Sequence, residues 1–431
     1  MGKDAEILVG LYLGTSKISA VVAEWDMFSG DEVQIIGIGQ APSRGVRKGL
    51  IVNLDRATDS VAAAIADAES MVGFDIRAVT VAFSGVDAYT KSVWGMISLS
   101  RTPRQVADDD VMRVIESALS GLSVPSDHCV VHLLPIKYSI DGNSGIDDPL
   151  GMTGIRLEVE LQAVIMPRSI VQNVVNCVQH AGVQVRGLVY KPLAAALGSL
   201  NQEEKSVGAV SLSLGGGTTS VAIFDEDRPV AFTVFPIGGD YVTSDVSQML
   251  KIPMGAAEEV KKAVSLDSGA EPAKEVTASI QGQTRKLDGD LIRQTVACRI
   301  EELLEEKVAP FIAENSKHQF PSGVVLTGGV AQTDGIETFA SSILNLPVRR
   351  APAAPIQKLR PGCDTSQYCL LMGIIFYLLE KRRNRYKYLD STVDSIMSGF
   401  FSVDVEQAPQ ASRRLGEGLF KKMLKSLKEL F

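Results

Sequence analysis

Two stretches of the chain, about two hundred residues apart, share one pattern of apolar and polar positions. In each, an apolar, β-prone run is followed by a turn of glycine and hydroxyl residues and then by a second apolar run. The first turn is Gly14-Thr15-Ser16 and the second is Gly215-Gly216-Gly217-Thr218-Thr219. The pattern predicts two β-hairpins, one in each of two lobes. Such turns direct backbone N–H groups outward, so we expect them to border a shared cleft that suits phosphate groups.

The rest of the pattern alternates strands with helices, which predicts an α/β fold. Helix 54–72 has apolar and small residues at three- and four-residue spacing, and Asn53 is its expected N-cap. Further helices are predicted over 108–119, 169–181, 191–201, 241–250, 256–263, 290–314 and 368–382. Strands are predicted over 19–25, 33–39 and 79–83, with a polar strand-like stretch over 277–287 and a buried strand before Gly328.

Residues 84–166 interrupt the first lobe and are predicted to form an insertion. Its helix begins with Asp108, Asp109 and Asp110, and acidic residues at a helix start suit the helix dipole. We therefore expect these carboxylates to be solvated rather than to bind a metal ion.

The end of the chain has a different pattern. Over 388–411 serine, aspartate, glycine, proline and glutamine prevail, which is typical of a linker. Over 413–431 the apolar residues share one face of a predicted helix: Leu415, Leu419, Phe420, Met423, Leu424, Leu427, Leu430 and Phe431. The other face is basic, with Arg413, Arg414, Lys421, Lys422, Lys425 and Lys428. This combination favours a helix that binds an anionic membrane surface over one that docks on the protein's own core.

Composition narrows the classes of function. The 431 residues are 45% hydrophobic and 22% charged, with a net charge of −8. This composition excludes overall disorder, and it lacks the basic footprint of a nucleic-acid binder, so we expect no nucleic-acid partner. No run reaches the roughly eighteen apolar residues of a membrane span, and the acidic N-terminus is unlike an export signal. The scattered cysteines and histidines lack metal-ligand spacing, so no metal site is predicted.

Further residues are candidates for the cleft between the lobes. Lys17 follows the hydroxyls of Thr15 and Ser16 and is expected to meet phosphate oxygens with them. The backbone at Gly328-Gly329-Val330 offers a flat surface for an adenine ring. The expected border of the ribose consists of Gly238, Gly239, Asp240, Glu258 and Lys261. Each alone has an ordinary role as a turn glycine or a surface charge, and only their order and spacing together indicate a nucleotide site.

Several motifs resemble those of the actin, sugar-kinase and heat-shock-protein-70 ATPase superfamily and, within it, the FtsA family of bacterial cell-division proteins. Besides the two turns and the C-terminal helix, they are residues 36–39, 42–45, 48–49, 149–156, 238–240, 243–245 and 325–329. The resemblance covers nearly the whole chain. It implies a two-lobed actin-like fold, the duplicated ribonuclease H-like arrangement, with an inserted FtsA-type subdomain. It also implies ATP or ADP as the cofactor.

The resemblance divides the chain into subdomains. Subdomain 1A comprises 1–83, 167–206 and a closing helix over 361–387, with subdomain 1C inserted at 84–166. Subdomain 2A comprises 207–243 and 313–360, and subdomain 2B comprises 244–312. A flexible linker over 388–412 leads to the membrane-targeting helix 413–431.

The chain departs from the superfamily at positions that drive hydrolysis. The superfamily has acidic residues, which hold the magnesium shell and the attacking water, where this chain has Tyr12 and Ser213. Lys191 stands where many relatives carry Glu, and Ser220 replaces a common Asp. Mg²⁺ has weak support here, because it prefers anionic oxygen ligands. We therefore expect nucleotide binding with weak or absent ATPase activity, and we assign no catalytic residue.

The resemblance also implies partners. In the FtsA family the outlying subdomain of the second lobe receives the C-terminal tail of the division tubulin FtsZ, and here Arg285, Arg293 and Arg299 suit an acidic tail. It further implies filaments of this chain, anionic inner-membrane lipid, other division proteins, and a location at the division site on the cytoplasmic side. Two alternatives stay open: an actin-like adaptor such as the pilus-assembly protein PilM, and a sugar-kinase-type phosphotransferase, which would need the missing acidic residues.

Overall fold

The structure is a computed structural model that describes residues 5–26, 32–267, 275–280, 283–315, 317, 319–351, 366–391, 393, 396 and 403–404. The predicted membrane-binding helix 413–431 lies outside the described residues, as does most of the predicted linker. No helix in the described ranges is long and apolar enough to span a membrane.

The chain begins with a three-stranded antiparallel meander followed by a helix. The elements are β1 (Ala5–Leu13), β2 (Lys17–Asp26), β3 (Glu32–Pro42), β4 (Val46–Arg47), β5 (Leu50–Ile51), α1 (Leu54–Val72) and β6 (Ala78–Phe83). The prediction for α1 and its cap is confirmed, because the Asn53 side chain accepts a hydrogen bond from the Arg56 backbone N–H at 2.9 Å. The helix ends where Gly73 adopts the left-handed conformation, with φ of 77°.

The insertion forms a separate sheet covered by one helix. Its elements are β7 (Tyr89–Ser98), β8 (Arg104–Gln105), α2 (Asp108–Ser120), β9 (His128–Ile140), β10 (Asn143–Ile146), β11 (Thr153–Gly154) and β12 (Arg156–Pro167). Strand β12 pairs antiparallel with both β9 and β7. Val111, Val114 and Ile115 of α2 are buried in the core of this insertion.

The expectation that the aspartates at the start of α2 are all solvated is wrong for Asp110. This carboxylate is buried and accepts hydrogen bonds from the Arg104 guanidinium at 2.6 and 2.7 Å. Hydrogen bonding to Arg104 lowers the pKa of Asp110 to about 2. The acidic residues do lie at the start of α2, as predicted. The sequence pattern does not show that β8 places Arg104 against Asp110.

The chain then returns to the first lobe with α3 (Arg168–His180), β13 (Gln184–Tyr190), α4 (Lys191–Ser199) and α5 (Gln202–Val207). The single helix predicted over 191–201 is therefore two helices. Asn201 caps the second one: its side chain accepts from the Glu204 N–H at 2.8 Å, and the Glu204 carboxylate accepts from the Asn201 N–H at 2.9 Å. This reciprocal capping box starts a new helix instead of continuing the old one.

The second lobe repeats the meander and adds more helices. Its strands are β14 (Ala209–Leu214), β15 (Thr219–Asp225), β16 (Arg228–Phe235), β17 (Glu275–Ile280), β18 (Gln283–Asp288), β19 (Val324–Thr327) and β20 (Val348–Arg350). Its helices are α6 (Gly239–Leu250), α7 (Met254–Lys262), α8 (Gly289–Leu303), α9 (Ala309–Glu314) and α10 (Ile336–Leu344). The helix predicted over 290–314 is interrupted by a π-helical turn at Leu304–Val308. Pro310 explains the irregularity, because its ring removes a backbone donor from the helical ladder.

The last described elements are α11 (Cys369–Arg383), β21 (Leu389–Ser391) and β22 (Val403–Asp404). Strand β21 pairs with β9 of the insertion, so the first residues of the predicted linker 388–412 belong to the fold. Tyr388 and Leu389 are buried, which explains why this end of the stretch is held in place.

The two lobes have the same sheet topology. The first sheet has the order β13-β6-β1-β2-β3 and the second has the order β20-β19-β14-β15-β16. In both, three antiparallel strands continue into two parallel ones. The fold is therefore the two-lobed, duplicated α/β arrangement that the sequence predicted, with the insertion in the first lobe.

Helices α4 and α11 cross at the junction of the lobes. A Cβ atom on Gly198 would lie 1.7 Å from the Cys369 carbonyl oxygen, and one on Gly373 would lie 1.6 Å from the Ala194 carbonyl oxygen. The two helices therefore approach at a distance that only glycine allows. Helix α4 also contacts β14, β15 and β16, so it joins the core of the first lobe to the second sheet.

Candidate functional site

The two predicted turns face each other between the lobes. The first turn joins β1 to β2 and the second joins β14 to β15. A Cβ atom on Gly216 would lie 2.0 Å from the Ser16 Oγ, and one on Gly217 would lie 2.4 Å from the Thr15 Oγ1. Real Cβ atoms do not approach so closely, so any larger residue at either position would displace the Ser16 or Thr15 side chain. The hydroxyls of one turn therefore point at the glycines of the other.

The first turn is bordered mainly by neutral groups. A Cβ on Gly14 would meet the Lys17 carbonyl oxygen at 2.4 Å and the Tyr12 ring at 2.9 Å, so this turn is also closely packed. The Thr15 Oγ1 accepts a hydrogen bond from the Gly49 N–H at 3.2 Å. Lys17 lies beside the turn, where its Nζ donates to the Gln367 Oε1 at 3.2 Å and stands 4.8 Å from the centre of the Tyr368 ring.

The second turn is tied to the start of α6. The Gly239 N–H donates to the Gly215 carbonyl at 2.9 Å, and the Asp240 N–H donates to the Gly216 carbonyl at 2.8 Å. A Cβ on Gly238 would lie 2.5 Å from each of these two carbonyl oxygens. The N-terminus of a twelve-residue helix, with its partial positive charge, therefore lies directly against the turn.

Lys191 lies on the other side of the second turn. It is the first residue of α4, is 1% exposed, and donates from Nζ to the Thr218 carbonyl at 3.2 Å and to the Thr218 Oγ1 at 2.9 Å. Burial lowers the pKa of Lys191 to about 7. The Thr218 Oγ1 also lies 3.3 Å from the Ser84 Oγ, which links the turn to the end of β6.

The two positions where the resemblance implies acidic residues, Tyr12 and Ser213, are occupied by uncharged groups. Tyr12 on β1 is hydrogen-bonded to Ser84, and burial raises the pKa of its phenol, so it is neutral near pH 7. Ser213 on β14 is buried and lies opposite Ser220 of β15. The Asp240 carboxylate lies close to the second turn, since a Cβ on Gly216 would be 3.2 Å from its Oδ1. Burial raises the pKa of Asp240.

The donor set suits phosphate better than it suits a divalent cation. Glycine turns and hydroxyls line the cleft, and in the described residues the buried hydroxyls of Thr219 and Ser220 have no hydrogen-bond partner. Phosphate oxygens accept hydrogen bonds from such groups, whereas Mg²⁺ selects carboxylates. In the described part of the chain, no three acidic, histidine or cysteine side chains cluster in a way that would hold a metal ion.

The residues predicted to border the nucleoside lie next to the second turn. The Lys261 Nζ donates to the Glu258 Oε2 at 2.5 Å, to the Thr243 Oγ1 at 2.8 Å and to the Gly239 carbonyl at 3.3 Å. Gly328 has φ of 96°, and a Cβ there would meet the Leu214 carbonyl at 2.4 Å. A narrow cavity beside them is lined by Leu214, Thr219, Ile237, Gly238, Gly239, Val242, Val330 and, from α8, Arg299, Ile300 and Leu303.

The three arginines predicted to bind a partner lie in different surroundings. Arg285 is exposed on β18, and Arg293 is half-buried on α8. Arg299 pairs with the Asp245 carboxylate at 2.6 Å and with the Glu302 carboxylate at 2.7 Å. Its guanidinium also lies 5.9 Å from the centre of the Tyr241 ring. Arg299 is thus held by acidic groups of its own lobe.

Two stretches of this chain match known protein families. A sequence model described as the SHS2 domain inserted in FtsA matches residues 88–165, and one described as cell division protein FtsA matches residues 210–373. The cell division protein FtsA of Pseudomonas aeruginosa is 31% identical over 415 residues, which cover 95% of this chain and 97% of that protein. The chain belongs to the FtsA family. It is accordingly an actin-like cell-division protein.

Solved structures of distant proteins agree with the FtsA-family fold. The PilM-PilN type IV pilus biogenesis complex matches with a TM-score of 0.60 and 16% identity, covering 86% of this chain and 98% of that one. MreB5 of Spiroplasma citri bound to ADP matches with a TM-score of 0.51 and 15% identity, covering 88% and 98%. These likenesses confirm the actin-like fold. Because PilM is so much less similar in sequence than FtsA, the adaptor alternative gives way to the FtsA family.

Sequence reasoning missed several contacts at the cleft. Lys191 was noted as a departure from the superfamily but was not placed at the site, although a cation at a helix start, where the dipole disfavours it, was a usable signal. The Lys48 ammonium contacts the Tyr241 hydroxyl from the opposite lobe, and Ser84 approaches Thr218. These contacts join residues far apart in sequence, and no local pattern indicates them.

Proposed function

We propose that this chain is a nucleotide-binding scaffold of bacterial cell division with weak or absent ATP hydrolysis. The observation that carries the proposal is the pair of opposed glycine turns with uncharged Tyr12 and Ser213 behind them. Backbone N–H groups, hydroxyls and the start of α6 suit the phosphates of ATP or ADP. MreB5, which shares the fold, was solved with ADP bound, and this supports the choice of ligand.

Binding of labelled ATP and ADP to the full-length protein tests the nucleotide site. Gly217→Val is expected to abolish binding, because its side chain would fill the space against Thr15. Gly255→Ala is the matched control, since a Cβ there would meet nothing within 4 Å. Failure of the wild-type protein to bind either nucleotide would refute the proposal.

We further propose that the protein polymerises on the inner membrane and tethers FtsZ to it. The support is the pattern of 413–431, which combines a wide apolar face with a basic face after a polar linker. One such helix binds weakly, and filaments would add many copies whose avidity holds the assembly on the membrane. Anionic lipid of the cytoplasmic leaflet at the division site is the expected surface.

Co-sedimentation with liposomes, with and without ATP, tests the tether. Removal of 413–431 should release the protein from liposomes that contain anionic lipid. Reversing Lys421, Lys422, Lys425 and Lys428 to Glu keeps the apolar face and should also release it, which separates the charge contribution from burial of the apolar residues. If both variants sediment with the liposomes as fully as the wild-type protein does, the membrane proposal is wrong.

The FtsZ tail is proposed to bind the outlying part of the second lobe. Arg285, Arg293 and Arg299 supply positive charge there, although Arg299 would have to exchange Asp245 and Glu302 for the tail. Binding of an FtsZ tail peptide should weaken in Arg285→Glu and Arg293→Glu. The control is Lys91→Glu, which changes an exposed charge on β7 of the insertion. Equal affinity in all four proteins would contradict this assignment.

A further inference from the structure

Lys191 stands where a lysine is doubly disfavoured. It begins α4, where the positive end of the helix dipole repels a cation, and it is buried. Removing an ammonium group from water is unfavourable unless an opposite charge compensates it.

The other buried lysines in the described ranges have such a partner. The Lys381 Nζ lies 2.8 Å from the Asp390 Oδ2, and the Lys205 Nζ lies 3.8 Å from the Glu380 Oε1. Lys191 has two neutral acceptors, both on Thr218, and no described carboxylate lies within ion-pair distance of it. In the described residues, no acidic group compensates the charge of the Lys191 ammonium form.

The missing counter-charge belongs at the second turn. The Lys191 Nζ is 3.2 Å from the place of a Cβ on Gly215, so the ammonium lies against the backbone of that turn. An ammonium has three donors, and Thr218 accounts for two of the Lys191 hydrogen bonds. Phosphate is the anionic group that the glycines and hydroxyls of this turn suit.

We propose that the Lys191 ammonium neutralises the phosphates of the bound nucleotide, so that ATP and ADP bind this protein without a divalent cation. The inference rests on the proposed nucleotide site and concerns how that site compensates charge. Where the resemblance implies four acidic residues, this chain has the Tyr12 phenol, the hydroxyls of Ser213 and Ser220, and the Lys191 ammonium. The substitutions at Tyr12, Ser213 and Lys191 are then parts of one change.

The test is calorimetric titration of full-length protein with ATP and with ADP, once in excess Mg²⁺ and once in EDTA. The wild-type dissociation constant should differ by less than about threefold between the two conditions. Lys191→Met, which keeps the side-chain length and removes the charge, should weaken binding by about tenfold or more in both. Lys205→Met is the matched control, because it removes another buried lysine that lies away from the turn.

The possible results distinguish an error about Lys191 from an error about the nucleotide site. Wild-type binding that is tenfold tighter with Mg²⁺, or unchanged affinity in Lys191→Met, would overturn the role of Lys191 and leave nucleotide binding intact. No wild-type binding in either condition would overturn nucleotide binding itself. Thermal melting shows whether Lys191→Met folds, and Lys191→Gln provides a second neutral side chain if it does not.

Discussion

The two glycine turns have the same backbone context and different chemistry. Each joins the central strand of a five-stranded sheet to the next strand of an antiparallel meander. The first is backed by the Tyr12 ring, and its hydroxyl contact is with the Gly49 N–H. The second has the start of α6 on one side and Lys191 on the other.

The duplicated fold therefore repeats the backbone shape of the turn but not the charged groups beside it. The first turn provides close-packed neutral surface, while the second concentrates a helix dipole and a buried cation. We therefore expect the second turn to provide most of the binding free energy for phosphate and the first to close over it.

The largest effect is expected from separating α6 from the second turn. In Gly238→Ala the new Cβ would lie 2.5 Å from two carbonyl oxygens, so the helix start must move away. Nucleotide affinity should fall by about a hundredfold or more, since the second turn loses both hydrogen bonds that hold it against the start of α6. In Gly255→Ala, on α7, the Cβ meets nothing within 4 Å, and affinity should change by less than about threefold. Equal losses in the two variants, measured by titration calorimetry, would argue against the role of α6.

A matched pair of threonines compares the turns directly. Thr218→Val removes the hydroxyl that accepts from Lys191, whereas Thr15→Val removes the one that accepts from Gly49. The shape of each side chain is kept, so affinity should fall about tenfold for Thr218→Val and about threefold or less for Thr15→Val. The reverse order would make the first turn the principal phosphate site.

The smallest effect is a pH-dependent shift in thermal stability. Because burial lowers the pKa of Lys191 to about 7, the nucleotide-free fold loses a proton there that the unfolded chain keeps up to its ordinary pKa. Stability relative to Lys191→Met should therefore be lowest below pH 7 and recover as the pH rises. The variant should melt roughly 5 °C higher at pH 6, and the gap should narrow by pH 9.

The comparison of the two melting curves isolates Lys191. Charged groups on the elements around α4, among them Asp225 on β15 and Glu380 and Lys381 on α11, are present in both proteins, so their titration cancels. A gap that does not change with pH would mean that Lys191 keeps one protonation state throughout this range.

The backbone of the two turns was more predictable than their surroundings. Apolar alternation and the glycines identify each hairpin locally, and Asn53 marks the start of α1 because a cap acts within four residues. The helix predicted over 290–314 was less accurate: Pro310 was visible in the sequence, but its effect on the preceding turn was not predicted.

The chemistry of the site depends on contacts between residues that are far apart in the sequence. The Lys191 ammonium donates a hydrogen bond to Thr218, and the Lys17 ammonium donates one to Gln367, which is 350 residues away in the sequence. The sequence predicted a solvated Asp110, but in the structure Arg104 of β8 donates hydrogen bonds to its carboxylate. In each case the residue type was visible, but its partner was fixed only by the tertiary fold.

The most direct test of the proposal that these turns bind nucleotide with weak or absent hydrolysis is a measurement of phosphate release from ATP. Full-length protein free of contaminating ATPases would be loaded with ATP in the presence of Mg²⁺ and compared with Gly238→Ala protein prepared in parallel. We predict that the wild-type protein retains ATP and releases phosphate at the same background rate as the variant. Magnesium-dependent release far above that of the variant would contradict the account.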